Sequence, residues 1–168
     1  LYEQAIRLSF EDKGAKDADA YIADKTRKPA AYNDPLGNYS ATALSSITIA
    51  WEDDSAEGAD KAAIKERNLE RIITQKWIAI FPLGVEAWSE HRRTGYPKLL
   101  PVPTDKSGGT VNVEQGARRL PYPVEEYQQN NANLQAAIQT LGAEQQNGDR
   151  SGDVMGTRVW WDCKPYNK

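Results

Sequence analysis

Residues 73–99, ITQKWIAIFPLGVEAWSEHRRTGYPKL, limit what this chain can fold into more than any other stretch. Apolar side chains recur there at helical spacing, and the run is broken once, at Phe81-Pro82-Leu83-Gly84. Proline lacks the N–H a helix interior needs, and glycine next to it ends the run. Upstream, Ile64, Leu69, Ile72, Ile73, Trp77 and Ile80 follow the i, i+3, i+4 rule, which predicts a helix over 59–80. VEAWSEHRRT, 85–94, resumes helical spacing, and Gly95 closes it. Two helices across so short a break form a helical hairpin. The acidic DDSAEG, 53–58, is placed to meet the positive end of the first helix.

The same periodicity extends along the chain. LYEQAIRLSFEDK, 1–13, is an amphipathic helix with Gly14 at its end, and DADAYIADK, 17–25, is a short helix capped by Asp17. VEEYQQNNANLQAAIQTLG, 124–142, is helical, interrupted near Asn130-Asn131 and stopped at Gly142. Residues 26–55 and 96–123 are rich in turn formers; within the first, SSITIAW, 45–51, alternates as a short extended piece. AEQQNGDRSGD, 143–153, is a flexible loop. The fold class is mainly α, with helical hairpins and long irregular connections. No sequence repeat of fixed period is visible.

Composition narrows the function. The chain has 168 residues, one domain by length, and 39% of them are apolar. Net charge is −3 with both signs interspersed, and no basic stripe marks nucleic-acid binding. No apolar run approaches the ~20 residues of a membrane helix. One Cys, Cys163, excludes an intrachain disulfide, and one His, His91, excludes a multi-histidine metal site. Leu1 opens directly into helical phase, so the chain is expected to be a fragment whose N-terminal part is absent.

Candidate chemistry is sparse. Glu70, Glu86 and Glu90 lie near Arg67, Arg92 and Arg93, but no spacing aims two carboxylates at one cleft as a glycosidase needs. An ion-pair network stitching the hairpin is the expected role. His91 has Ser89 two residues away, on another side of the helix, and no G-x-S-x-G elbow exists. Asp53, Ser55, Glu57 and Gly58 match the start of a calcium loop, but Ile64 stands where the bidentate Glu belongs. No catalytic residue, metal site or cofactor is assigned. Eight Tyr and five Trp against two Phe favour surfaces that are half wet and half apolar. Sugar rings stack on such side chains, and loops carry binding residues more often than helices. Tyr32, Tyr39 and Trp51 are therefore the candidate ligand contacts, and Trp160-Trp161-Asp162 near the end is a second candidate platform. Trp77 and Trp88 are assigned to the core, and Trp160 and Trp161 are split, one inward and one outward.

LERIITQKWIAIFPLGVEAWSEHRRTGYPKL, then RRLPYPVEEYQQNNANLQAAI, then MGTRVWWD together resemble the C-terminal part of SusD/RagB-type outer-membrane lipoproteins. The likeness runs from about Ser46 to Asp162. It implies tetratricopeptide-like helical pairs and a non-catalytic role. It also implies capture of a glycan or other nutrient and delivery to a SusC-like TonB-dependent transporter. The family's anchor is a lipidated N-terminal cysteine on the outer face of the outer membrane; Cys163 is at the wrong end to be that anchor. The resemblance makes Trp77, Trp88, Glu86, Arg92 and Arg93 a structural scaffold that locks the hairpin, and it makes the N-terminal part of the same protein a partner of this one. It carries over no binding residue. Truncating Trp88 or Arg93 to Ala is expected to lower stability, by about 3 kcal/mol for a buried Trp. The alternative is a helical protein–protein interaction module with no sugar site.

Overall fold

The computed structural model describes residues 1–111, 113, 115–143 and 152–162. It is mainly helical, and the chain forms two compact units, Leu1–Leu100 and Pro101–Lys168. The flexible loop expected over 143–153 falls mostly outside the described residues, as does Cys163.

In the first unit, α1 spans Tyr2–Asp12 and buries Ile6. Gly14 takes φ 64°, a left-handed conformation that glycine adopts without a Cβ penalty, and the chain turns there. α2 spans Ala18–Ile22 and buries Ile22. Asp17 precedes it as expected, but at φ 65° and with no side-chain bond to the helix, so its carboxylate does not cap. Phe10 of α1 and Tyr21 of α2 pack with ring centroids 5.1 Å apart.

The segment between α2 and the long helix departs from expectation. SSITIAW is not a strand. The two strands are β1 (Tyr32–Asn33) and β2 (Ser40–Ala41), antiparallel, with Tyr32 opposite Ala41. Backbone bonding explains why alternation misled. A strand needs a partner edge, and residues 47–52 give their polar backbone to side chains and a loop instead. Thr48 O accepts from Arg71 Nε at 3.0 Å, and Ile49 O from the Tyr2 hydroxyl at 2.8 Å. Ala50 N donates to Asp24 O, and Asn68 bonds both N and O of Glu52.

α3 spans Lys61–Ala79, and Asp60 caps it by accepting from Ala63 N at 3.0 Å. That carboxylate lies at the cap; no acidic residue occupies the first turn, so residues 53–58 do not meet the helix end as expected. Asp53 instead holds Ser55 through its amide and hydroxyl. α3 buries Ile64 and Ile73, and with them Asn68, Glu70 and Arg71. Ile72, expected in the core, is 40% exposed. α4 spans Gly84–Thr94 and ends at Gly95 with φ 74°. The turn between them is tight: Leu83 N donates to Ile80 O at 2.7 Å. The hairpin is the one the sequence predicts. Beyond it Tyr96 is buried, its hydroxyl 2.8 Å from Glu66 Oε1. Burial and that carboxylate push the phenol above its usual range.

In the second unit, α5 (Val124–Gln129) and α6 (Asn131–Ala143) break at Asn130, as expected, and α6 runs one residue past Gly142. Leu134 is buried, but the two side chains given as fully enclosed, Thr157 and Asp162, are polar, and Arg118, Arg119 and Arg158 are buried with them.

Candidate ligand-binding surfaces

The sequence names three aromatic side chains for ligand contact, and the structure divides them between two places. Tyr32 and Tyr39 face each other on the β1–β2 ribbon, ring centroids 6.1 Å apart and planes 43° apart. The turn that brings them together is built by Asp34. Its amide donates to Tyr39 O at 2.9 Å, its carbonyl accepts from Gly37, and its carboxylate holds the Asn38 amide. Tyr32 is 40% exposed, so a ring face is available to solvent.

Trp51 packs on Tyr2, centroids 5.3 Å apart, and stands at the edge of an apolar trough of about 1100 Å³ between α1 and α3. Burial pushes the Tyr2 phenol up to about 12, so it stays protonated and donates to Ile49 O. A smaller hollow of about 230 Å³ lies at the α3–α4 turn against Trp77, Phe81, Trp88 and His91.

The scaffold residues sit around that turn, with corrections. Trp77 and Trp88 are half-buried, not core. Each covers the hairpin with one face: Trp77 meets His91 edge-on, and the Arg92 guanidinium lies 3.4 Å from the Trp88 ring centre. Lys76, which the sequence reading passed over, joins the two helices. Its Nζ is 2.8 Å from Glu86 and from Glu90. Arg93 pairs with Glu90, but Arg67 pairs across to Glu52. Burial raises the Glu90 carboxyl, yet bonds from Lys76 and Arg93 outweigh it and leave it below its usual range. His91 sets Nδ1 3.1 Å from Pro97 O.

Half-burial revises the expected cost of truncation. Trp88→Ala should destabilise by about 2 kcal/mol, because only part of the ring's surface is lost to packing. Arg93 is 55% exposed at the side chain, so Arg93→Ala should cost under about 1 kcal/mol. Thermal melts of the two variants beside the parent check this; equal losses would mean Arg93 does more than its exposed pair provides.

The buried electrostatics rest on residues to which sequence reasoning gave no such role; Asp162, offered with Trp160 and Trp161 as a ligand platform, is 1% exposed. Asp162 is enclosed between Arg118 and Arg158, its Oδ2 2.6 Å from Arg118 Nε. Asp153 accepts from Arg119, from the Tyr127 hydroxyl at 2.6 Å and from the Tyr122 amide at 2.9 Å. Each partner lies inside the RRLPYPVEEY and MGTRVWWD motifs or within two residues of them. Asn68 and Arg71 were also legible in principle, falling four and seven residues after Ile64 on the buried side of α3. Among the described residues no group of three or more His, Cys, Asp or Glu could hold a metal.

The family described as SusD-like, Susd and RagB outer membrane lipoprotein, matches residues 1–162. The chain belongs to the SusD/RagB family. A SusD homolog from Bacteroides thetaiotaomicron VPI-5482 superposes with TM-score 0.82 at 50% identity, over 98% of this chain and 33% of that one. A SusD homolog from Bacteroides uniformis ATCC 8492 gives TM-score 0.81 at 50% identity, over 97% of this chain and 31% of its own. A chitin-binding SusD homolog from Flavobacterium johnsoniae gives 0.77 at 42% identity, over 96% of this chain and 30% of its own. The chain thus spans about a third of the solved relatives it matches. No curated protein matches. The SusD/RagB family is one of outer-membrane lipoproteins, and no helix among the described residues is long and apolar enough to cross a membrane.

Proposed function

We propose that this SusD/RagB chain is part of a non-catalytic, cell-surface glycan-binding protein. It passes its ligand to a SusC-like TonB-dependent transporter, and a lipidated cysteine outside residues 1–168 anchors it to the extracellular face of the outer membrane. The observation that carries this reading is the family match over residues 1–162, together with a chitin-binding relative 42% identical over 96% of the chain. Tyr32 and Tyr39 are the proposed sugar platform: their tilted pair presents an apolar ring face at an exposed turn, where a pyranose C–H face can stack.

Calorimetry with chitin oligosaccharides and a panel of other glycans, on the longest natural form, tests the reading. Saturable binding is expected. Tyr32→Ala with Tyr39→Ala should weaken it about tenfold, or 1.4 kcal/mol. Binding to none of the glycans would overturn the glycan reading, and saturable turnover of any of them would overturn the non-catalytic one. Binding that the double variant leaves unchanged would remove these tyrosines from the site.

A further inference from the structure

The stretch that leads into the Tyr32–Tyr39 ribbon carries charge of one sign. Residues 25–33, KTRKPAAYN, hold Lys25, Arg27 and Lys28 and no acidic side chain, a local +3 in a chain whose net charge is −3. All three cations are exposed. The acidic groups on either side of the stretch are committed to their own turns. Asp24 accepts from the amides of Thr26 and Arg27, at 2.7 and 2.9 Å, and its other oxygen takes a bond from Arg27 Nε at 2.7 Å. Asp34 accepts from the Asn38 amide at 3.1 Å. Amide bonds from Arg27, then Thr26, hold the Asp24 carboxyl well below its usual range, so this turn stays closed wherever a sugar acid is ionised. Ala50 N donates to Asp24 O and ties the turn to the body of the unit.

The cations are thereby placed and left open. Lys25 and Lys28 make no hydrogen bond or ion pair among the described residues. Arg27 bonds Asp24 through Nε alone, and its side chain is 75% exposed. Its two Nη groups, the fork that takes a carboxylate or sulfate, are not engaged among the described residues. Lys28 stands four residues before Tyr32, so their Cα atoms lie no more than about 14 Å apart. At that separation one oligosaccharide reaches both the lysine and the tyrosine ring.

We propose that the glycan taken by the Tyr32–Tyr39 platform is an acidic one, whose carboxylate or sulfate groups meet Arg27, Lys25 and Lys28 while a ring stacks on the tyrosines. The inference rests on the glycan reading above and goes further in naming the charge of the ligand. A neutral sugar gains nothing from the three cations, whereas an anionic one is drawn in by their field and pairs with them at contact.

Calorimetry on the longest natural form at low salt tests it, with an oligogalacturonate, a sulfated chondroitin oligosaccharide and a neutral chitin oligosaccharide of equal length. At least one acidic ligand should bind about tenfold or more tighter than the neutral one. Added salt should erase most of that margin, because exposed charges are screened. Which acidic ligand responds tells carboxylate from sulfate. Lys25→Gln with Lys28→Gln breaks no contact among the described residues and should remove the margin. Lys61→Gln with Lys65→Gln, the same charge change on exposed lysines of α3, should leave it. Neutral and acidic oligosaccharides bound equally well would overturn the proposal and leave the glycan reading standing. An acidic preference that survives the first lysine pair, or that the α3 pair removes equally, would overturn it too. Binding of no glycan at all would remove the glycan reading and this inference with it.

Discussion

Asp162→Ala should destabilise the folded protein by about 3–5 kcal/mol. The Asp162 side chain is wholly buried, and the guanidinium groups of Arg118 and Arg158 that flank it are almost as enclosed. Removing the carboxylate leaves two buried positive charges facing each other without the anion between them, and that uncompensated charge is the main cost. The intact cluster need not be strongly stabilising against a well-packed apolar replacement. A chain carrying Asp162→Leu, Arg118→Met and Arg158→Met together should therefore recover much of the loss. Urea denaturation followed by tryptophan fluorescence separates the cases. A single variant with the parent's midpoint would show that water reaches these arginines, contrary to their burial.

Arg71→Ala should cost about 3 kcal/mol, the second-largest effect expected. Arg71 is buried and reaches three acceptors: Thr48 O, Asn68 Oδ1 at 3.0 Å and Glu52 Oε2 at 3.2 Å. Through them it holds residues 48–52 on α3 in place of a strand ladder. The same network predicts acid sensitivity. Bonds from Arg67, then from Arg71, hold the Glu52 carboxyl at about 2 against its usual 4.5. A carboxyl depressed by folding contributes its stability above the unfolded value and loses it as pH falls through the folded one. The contribution should thus be complete above about 4.5 and fade from there to about 2. Stability of parent and Glu52→Gln chains measured between pH 6 and pH 2.5, about the span of that titration, should converge at the acid end. Parallel curves would separate Glu52 from the acid response.

The helices were legible because helical periodicity is a local property. Ile64, Ile73, the Pro82-Gly84 break and Gly95 sit within one stretch, and the hairpin they specify is the one that forms. Family membership was legible for a related reason: three motifs stand in fixed order along the chain. Of the candidate site, the sequence supplied residue types and the structure supplied grouping. Tyr32 and Tyr39 meet because Asp34 closes a tight turn, a feature hidden among the many turn formers of 26–55. Trp51 went elsewhere, to Tyr2, because its backbone neighbours are tied to α3 and α1.

Charge was where local reading failed. A polar residue on a helix is ordinarily solvated, and for Asn68 and Arg71 the spacing after Ile64 was the one local sign of burial; they are buried because residues 48–52 cross them and need donors and acceptors. Arg118 and Asp162 meet across 44 residues of chain, and nothing in their neighbours announces the pairing. The sequence by itself determined where helices start and stop, which family the chain joins and which residue types could touch a ligand. Tertiary structure alone decided which carboxylate each arginine meets and which aromatic rings share a surface. Burial of an ion pair depends on what packs over it from distant segments, and no local pattern encodes that.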